Sequence, residues 1–518
     1  MRVSESVDLR FVGADFFGYN PSMMNLGDAL HSQAQRIPQK TALFCGESRI
    51  SYQALDELTT ALAKWFLDQG LQPGDRVAIH WTNSIQTVQL LYSVFKAGLT
   101  AVTINTRLKA PEIEFMLNHA QVRMCFTEAV LLPSAEQAGG GCTILSELPV
   151  LPTAEADPRA LPPVDPDEPA LLIYTSGTTA RPKGVVHTHR SLYSTVVITV
   201  RAIGPRELEE GVALCVLPLM HMGALAGLFS TVCLGGTTVL LPRFDPAGVL
   251  EAIEEFRCTS LTCLPSLWHF IVDEQARKPR RVSSLNAACA AGDAVPVALQ
   301  TRFEAVFGLP LQEGYGMTES VPLVINPKGA IRSGSMGVPV EHVALRIVDV
   351  AGVDVPEGET GEILVRSPAN CIGYWNDPGA TRAAIEAGWL HTGDLASCDS
   401  DGYYWFRGRK KEIIIRAGSN ISPQEVEEAL YRHPAVLEAG VVGQGDSVYG
   451  EIVVAFVVLR EGFRAEASEL REFAQKHLAD YKVPEKFVFL AEMPKSPVGK
   501  VHRRALRGML VSASAMAV

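Results

Sequence analysis

The sequence predicts a multidomain α/β fold: a large N-terminal domain over residues 1–408, made of two β/α sheets plus a small β-barrel-like subdomain, and a small α+β C-terminal domain over residues 409–518. Three observations predict it. From about residue 25 to about 310, strand-like apolar runs alternate with apolar residues at three-to-four spacing, the pattern of parallel sheets covered by helices. After about residue 330 the chain turns β-rich, with short runs separated by Gly, Pro and Asp. The charged segment Arg407-Gly408-Arg409-Lys410-Lys411-Glu412 then separates this region from a compact mixture of helix and strand, as a domain boundary does.

The elements follow in order. Thr41–Cys45 and Arg49–Tyr52 flank a Gly-Glu-Ser turn, as a hairpin would. Ser51 then precedes a helix carrying Leu55, Leu58, Leu62, Trp65 and Phe66 on one face. Pro73-Gly74-Asp75 marks a turn, Val77–His80 a strand, 84–97 a helix and Thr100–Ile104 the next strand, which completes a β-α-β unit. Seven prolines between Pro149 and Pro169 exclude helix and central strand there, so that segment is a surface connection. From residue 170 to 310, strand-like runs, among them Val212–Leu217, Thr238–Leu241, Ser260–Leu264 and Leu285–Ala290, predict a second sheet. The apolar run from Ala224 to Leu241 is broken by Gly235-Gly236 and reads as a buried helix followed by a strand, not a membrane span. Ala344–Asp349, Glu362–Arg366 and Tyr403–Phe406 form the β-rich part. Ser422-Pro423-Gln424-Glu425 has the pattern of a helix start with a capping box. A strand over Ile452–Leu459, a helix over 467–478 and a strand over Phe487–Leu490 complete the chain.

Composition narrows the function. At 518 residues with 47% hydrophobic content, the chain has ample material for large cores. The net charge of −11 argues against a nucleic-acid surface, and it means that an anionic ligand must be drawn in by local donors. Ten cysteines occur without a CxxC pair or a zinc-like spacing, and the first residues lack an apolar signal region. Together these predict a reduced, cytoplasmic protein without an integral membrane segment.

The most distinctive stretch is Leu172 to Gly184, an apolar strand running into Thr175-Ser176-Gly177-Thr178-Thr179-Ala180-Arg181-Pro182-Lys183-Gly184. Small residues let backbone N–H groups approach an anion, while hydroxyls and Lys183 add donors and charge. This is the composition of a phosphate-cradling loop, although a plain turn can share it. It is not a Walker loop, because no Gly-Lys-Ser/Thr opens a helix.

Five further stretches carry chemistry. Gly314-Tyr315-Gly316-Met317-Thr318-Glu319 sets an aromatic between glycines, then a hydroxyl and a carboxylate able to hold Mg²⁺. Asp394, within Gly393-Asp394-Leu395, suits paired ribose hydroxyls or an Asx-turn. Arg409 offers a planar fork to a ribose or a phosphate. His221, within Pro218-Leu219-Met220-His221-Met222-Gly223, is a lone histidine after a strand. Lys500 follows a glycine in Pro494-Lys495-Ser496-Pro497-Val498-Gly499-Lys500.

Taken together and in this order, these stretches resemble the adenylate-forming superfamily: acyl- and aryl-CoA synthetases, luciferases and amino-acid adenylation domains. The resemblance runs from about residue 25 to about 510. It implies that the loop with Thr175, Ser176, Gly177, Thr178, Thr179 and Lys183 grips the outer phosphates of ATP. It implies that Gly292-Asp293-Ala294 borders adenine and that Tyr315 stacks on it. Thr318 and Glu319 would contact the α-phosphate and Mg²⁺, and Asp394 with Arg409 would hold the ribose. Lys500 would bridge the carboxylate and the α-phosphate, Lys411 would be the hinge of a mobile C-terminal domain, and Gly418 would approach the pantetheine of CoA. Two positions depart from the common pattern: Ala180 stands where Gly is usual, and Lys410-Lys411-Glu412 replaces a more acidic hinge.

The resemblance implies activation of a carboxylic acid as acyl-AMP, followed by transfer to CoA, with ATP, Mg²⁺ and CoA as cofactors and His221 near the chemistry. Amino-acid adenylation domains place an aspartate for the substrate amine shortly after the histidine motif. Here Met222-Gly223-Ala224-Leu225-Ala226-Gly227-Leu228-Phe229 is wholly apolar, so a buried ammonium would go unpaired. The expected acyl pocket, with His221, Met222, Leu264, Ser266, Gly314 and Val321 as walls, therefore suits an uncharged group, fatty or otherwise aliphatic. Aryl-CoA ligase, acyl-AMP ligase loading a carrier protein, luciferase-like oxidase and non-catalytic nucleotide-binding relative are the alternatives. The chain is expected to act as a monomer or homodimer.

Overall fold

The computed structural model describes residues 25–152, 161–175, 182–417, 419–446, 448–496 and 499–515. Four sheets organise them. The seven-stranded sheet runs in the order Gly373–Tyr374, Lys183–Thr188, Pro169–Thr175, Thr100–Thr103, Arg76–His80, Val122–Thr127, Thr143–Leu145. The nine-stranded sheet runs Val338–Pro339, Ser320–Ile325, Gln312–Met317, Ala287–Ala291, Ser260–Cys263, Val212–Cys215, Thr237–Leu240, Thr41–Cys45, Ser48–Ser51. The chain therefore does not fill its two β/α sheets in sequence. The early hairpin pairs in parallel with Thr237–Leu240, whereas Pro169–Thr175 returns to pair with Thr100–Thr103. Parallel pairing needs crossovers, and sequence order alone does not say which sheet a crossover returns to.

Helices cement the two sheets into one core. Tyr52–Asp68 starts where Ser51 accepts the Ala54 N–H at 3.2 Å, and Ile85–Lys96 starts where Ser84 accepts the Thr87 N–H at 3.2 Å. Met222–Leu234 is the expected buried helix. It ends at Gly235, whose φ of +82° is the left-handed conformation that glycine reaches without strain. Leu225, Phe229 and Val232 of this helix pack with Tyr92 and Phe95 of Ile85–Lys96 in the same cluster.

The β-rich part is a five-stranded sheet of Ala344–Val348, Gly361–Arg366, Ile385–Glu386, Trp389–Cys398 and Tyr404–Arg409. The last sheet, Ile414–Arg416, Ser419–Ile421, Val436–Asp446, Gly450–Leu459 and Lys486–Phe489, has two hydrophobic clusters of its own. Its helix Pro423–Tyr431 begins at Ser422 as predicted, but without the capping box. The Ser422 hydroxyl donates to Gln424, and the Glu425 carboxylate instead takes the Lys482 ammonium at 2.6 Å. No helix among the described residues is long and apolar enough to cross a membrane.

Candidate active site

The predicted phosphate loop joins two antiparallel strands, with Thr175 opposite Lys183 and Tyr174 opposite Gly184. No helix follows it directly, in keeping with its departure from a Walker loop. Ser176, Gly177, Thr178, Thr179, Ala180 and Gly418 lie outside the described residues. Lys183 places its ammonium 4.9 Å from the ring centroid of Tyr374, a cation–π distance.

Thr318 and Glu319 form the two-residue turn between Gln312–Met317 and Ser320–Ile325, with Met317 opposite Ser320. Glu319 is buried, and its Oε1 accepts the Tyr374 hydroxyl at 2.9 Å. Burial pushes this carboxyl above the ordinary range, while the Tyr374 bond works the other way. A buried carboxylate held by a neutral phenol, with no contacting cation among the described residues, is suited to a divalent ion. The described residues contain no group of three or more His, Cys, Asp or Glu side chains that could cage a metal, so nucleotide oxygens would have to complete the shell.

Asp394 does not sit in an Asx-turn. It belongs to the strand Trp389–Cys398, directly opposite Arg409 of Tyr404–Arg409. Arg409 Nε lies 3.0 Å from Asp394 Oδ1, and the Tyr315 hydroxyl donates to Oδ2 at 2.8 Å. Tyr315, Asp394 and Arg409, the three predicted nucleoside contacts, thus form one unit joined by a hydrogen bond and an ion pair. Burial raises the Asp394 carboxyl and Arg409 opposes it. The Arg409 side chain is half exposed, and Asp394, Glu412 and Asp293 hold its pKa above the ordinary value.

Lys500 reaches this unit from the C-terminal part. Its pKa is lowered by burial, with Asp293 the strongest opposing charge and Asp394 and Glu412 adding to it. Two glycines with positive φ make the approach possible: Gly292 at +91° and Gly499 at +83°. A Cβ on Gly292 would sit 3.0 Å from one methyl of Leu264, and a Cβ on Gly499 would sit 2.9 Å from the other. Leu264, expected as an acyl wall, is therefore also the wedge on which the Lys500 loop rests. Around it, the His269 ring stacks on Tyr431 at 6.2 Å, and Glu428 accepts the Val297 N–H at 3.3 Å.

His221 stands at the N-cap position of Met222–Leu234, and its buried Nε2 has no hydrogen-bond partner among the described residues. Burial, reinforced by Lys500 and Arg107, lowers its pKa to about 4, so the ring is neutral at physiological pH. Met222 is buried beside it. Gly314 lies within the strand Gln312–Met317, where a Cβ would meet Cys289 Sγ at 3.3 Å. Val321 follows the Thr318–Glu319 turn and packs at the edge of the main core. Sequence reasoning missed Tyr374, His187, Arg107 and Glu412. The one available signal was Gly373-Tyr374-Trp375-Asn376-Asp377-Pro378, two adjacent aromatics enclosed by turn residues.

Comparison with known proteins agrees with this geometry. The family profile described as AMP-binding enzyme matches residues 30–375, and the AMP-binding enzyme C-terminal domain matches residues 425–500. A sulfoacetate–CoA ligase of Cupriavidus necator is 36% identical, spanning 92% of this chain and 96% of the relative. A long-chain-fatty-acid–CoA ligase of Bacillus subtilis is 34% identical, spanning 93% and 94%. The crystal structure of the anthranilate CoA ligase AuaEII in complex with anthranoyl-AMP superposes with a TM-score of 0.89 at 28% identity, covering 94% of this chain and 98% of that one. The chain belongs to the AMP-binding, adenylate-forming superfamily and is an AMP-forming acid–thiol ligase.

Proposed function

We propose that this ligase activates a fatty or other aliphatic carboxylic acid as acyl-AMP and then passes the acyl group to CoA. The observation that carries the adenylation reading is the placement of Lys500, which lines one cavity with Leu264 and Asp293, its Cε 4.0 Å from where a Cβ on Gly292 would sit, within the charge field of Asp293, Asp394 and Arg409. The first half-reaction brings a carboxylate to the α-phosphate of ATP. Two unit charges 4 Å apart repel by about 4 kcal/mol at an effective dielectric near 20. Lys500 offsets that repulsion where both anions meet and stabilises the charge developing in the in-line transition state.

The remaining roles are those that the resemblance to the adenylate-forming superfamily implies. Tyr315 covers the adenine that Gly292-Asp293-Ala294 borders, and Asp394 with Arg409 holds the ribose hydroxyls. Thr318 donates to the α-phosphate. Glu319 and nucleotide oxygens would hold Mg²⁺, which supplies charge neutralisation at the phosphates. Thr175 through Thr179, with Lys183, retain the pyrophosphate. Transfer to the thiol requires Lys500 to leave, so the part beyond Arg409 turns about Lys411 and brings Gly418 toward the pantetheine.

An uncharged acid is supported by the helix Met222–Leu234, which offers no ionisable partner except its own cysteine, and by a neutral His221 at its start. A second charge on the substrate tail would be buried against it unpaired. An aromatic acid is the second reading, favoured by the likeness to the anthranilate ligase over nearly the whole chain. Pyrophosphate release against a panel of short, long, aromatic and sulfonated acids, with and without CoA, tests all of these. Release with long or medium aliphatic acids alone is expected; release with sulfoacetate alone overturns the uncharged-tail reading. Lys500→Ala should abolish acyl-AMP formation but spare thioester formation from supplied acyl-AMP. Equal loss of both half-reactions would contradict the assigned division of labour.

A further inference from the structure

The strand Lys183–Thr188 leaves the phosphate loop and carries two side chains four residues apart, Lys183 and His187. Residues at that separation in a strand share a face. His187 is fully buried, and its Nε2 lies 2.7 Å from the backbone carbonyl of Thr318. A carbonyl only accepts, so Nε2 carries the hydrogen and donates. Its other nitrogen, Nδ1, lies 3.2 Å from the Ser191 hydroxyl, whose single hydrogen is shared between this nitrogen and the Thr188 carbonyl at 3.1 Å. The second carbonyl of the turn, that of Glu319, accepts the Cys371 N–H at 2.7 Å, while Tyr374 holds the Glu319 carboxylate. Ile372 donates its N–H to the carbonyl of Val186, and Tyr374 pairs with Val185 across the sheet edge. Among the described residues, these ties on the Thr318–Glu319 turn come from the strand that leaves the phosphate loop and from the segment paired to it.

We propose that His187 is a positioning residue for adenylation, fixing the Thr318–Glu319 turn to the strand of Lys183 so that the two sides of the triphosphate site keep one spacing. The inference rests on the reading of Thr318 and Glu319 as nucleotide and cation contacts. A histidine suits this place because it donates without bringing charge. Burial holds its pKa near 4, so it stays neutral and adds no charge beside the Glu319 carboxylate that would compete with a cation. A lysine or arginine here would offer Glu319 a competing partner.

The test compares wild type, His187→Leu and His187→Gln, the last keeping an N–H donor. In His187→Leu, kcat/KM for ATP in pyrophosphate release should fall about 10- to 100-fold, as expected when a buried carbonyl loses its donor and a reacting geometry loosens. The Mg²⁺ concentration for half-maximal rate should rise, and thioester formation from supplied acyl-AMP should stay within a few-fold of wild type. His187→Gln should recover most of the loss. If both half-reactions fall together with the melting temperature and glutamine rescues neither, the histidine only supports the fold and the proposal is wrong. If no acid elicits pyrophosphate release even from wild type, the substrate reading fails. Calorimetric binding of ATP with Mg²⁺ still decides this proposal, which requires about tenfold weaker binding in His187→Leu and is overturned by equal binding in all three proteins.

Discussion

Asp394 shows how much one residue's surroundings decide. Both of its carboxylate oxygens already have protein partners, Arg409 and Tyr315, which fix its orientation before nucleotide binds. The remaining lone pairs are the ones a ribose can use. Losing hydrogen bonds to a charged group costs about 1.5–3 kcal/mol, so Asp394→Ala should raise KM for ATP about 10- to 100-fold with kcat much less affected. With 2′,3′-dideoxy-ATP, variant and wild type should converge, because the hydroxyls that distinguish them are gone. A penalty that persists undiminished would place Asp394 elsewhere than at the ribose. Asp394, Arg409, Tyr315 and Lys500 were legible as candidates because their short runs, taken together and in order, resemble one family. His187 and Tyr374 were not. Their partners Thr318 and Glu319 lie 131 and 55 residues away in the chain, and a single sequence carries no signal for a contact at that separation.

At the scale of elements, local chemistry was read well wherever it acts locally. Helix starts at Ser51 and Ser84, the turn at Gly46 and the glycine stop after Leu234 follow from backbone geometry within a few residues. What failed depended on distant partners, such as the capping box at Ser422 and the sheet to which Pro169–Thr175 returns. The buried pair Glu427–Arg503 belongs to this second class. Arg503 donates to both Glu427 oxygens at 2.8 and 2.7 Å, tying the helix Pro423–Tyr431 to Arg503–Ala515 just past Lys500, and Glu427 also accepts the Val441 N–H at 2.8 Å. Burial alone would disfavour the Arg503 charge, yet Glu427 and Glu412 hold its pKa above the ordinary value. Glu427→Ala strands that charge and should destabilise the C-terminal part by about 3–5 kcal/mol in urea unfolding. The double variant Glu427→Ala with Arg503→Met should be less destabilised than the single one, since no unpaired charge remains. Additive losses would show that the pair is not coupled.

At the scale of the whole molecule, the arrangement that half-buries Lys500 also buries His269 against Tyr431 of the C-terminal part. Burial, then Arg460, Arg302 and Lys495, lowers the His269 pKa to about 3. Arg302 is paired with Asp273 and Lys495 with Glu438, and Tyr431 faces the ring as a neutral phenol. If the C-terminal part turns away for thioester formation, His269 meets water and regains an ordinary pKa near 6.5. The open form then binds a proton that the closed form refuses. The closed form is unaffected above about pH 6.5 and loses ground as pH falls from there toward 3. Between about pH 7.5 and 5.5 the linkage amounts to roughly a tenfold fall in the closed-to-open ratio. Glu313 and Glu428 oppose this, because burial raises both and protonation favours the closed form. The contribution of His269 is therefore read as a difference. His269→Phe keeps a flat ring against Tyr431 and removes the titration. Energy transfer between site-specific labels on the two parts should show the closed-to-open ratio of wild type falling about tenfold further than that of His269→Phe over this interval. Parallel pH dependences in the two proteins would mean that His269 stays covered throughout, and that the turn about Lys411 leaves this contact intact.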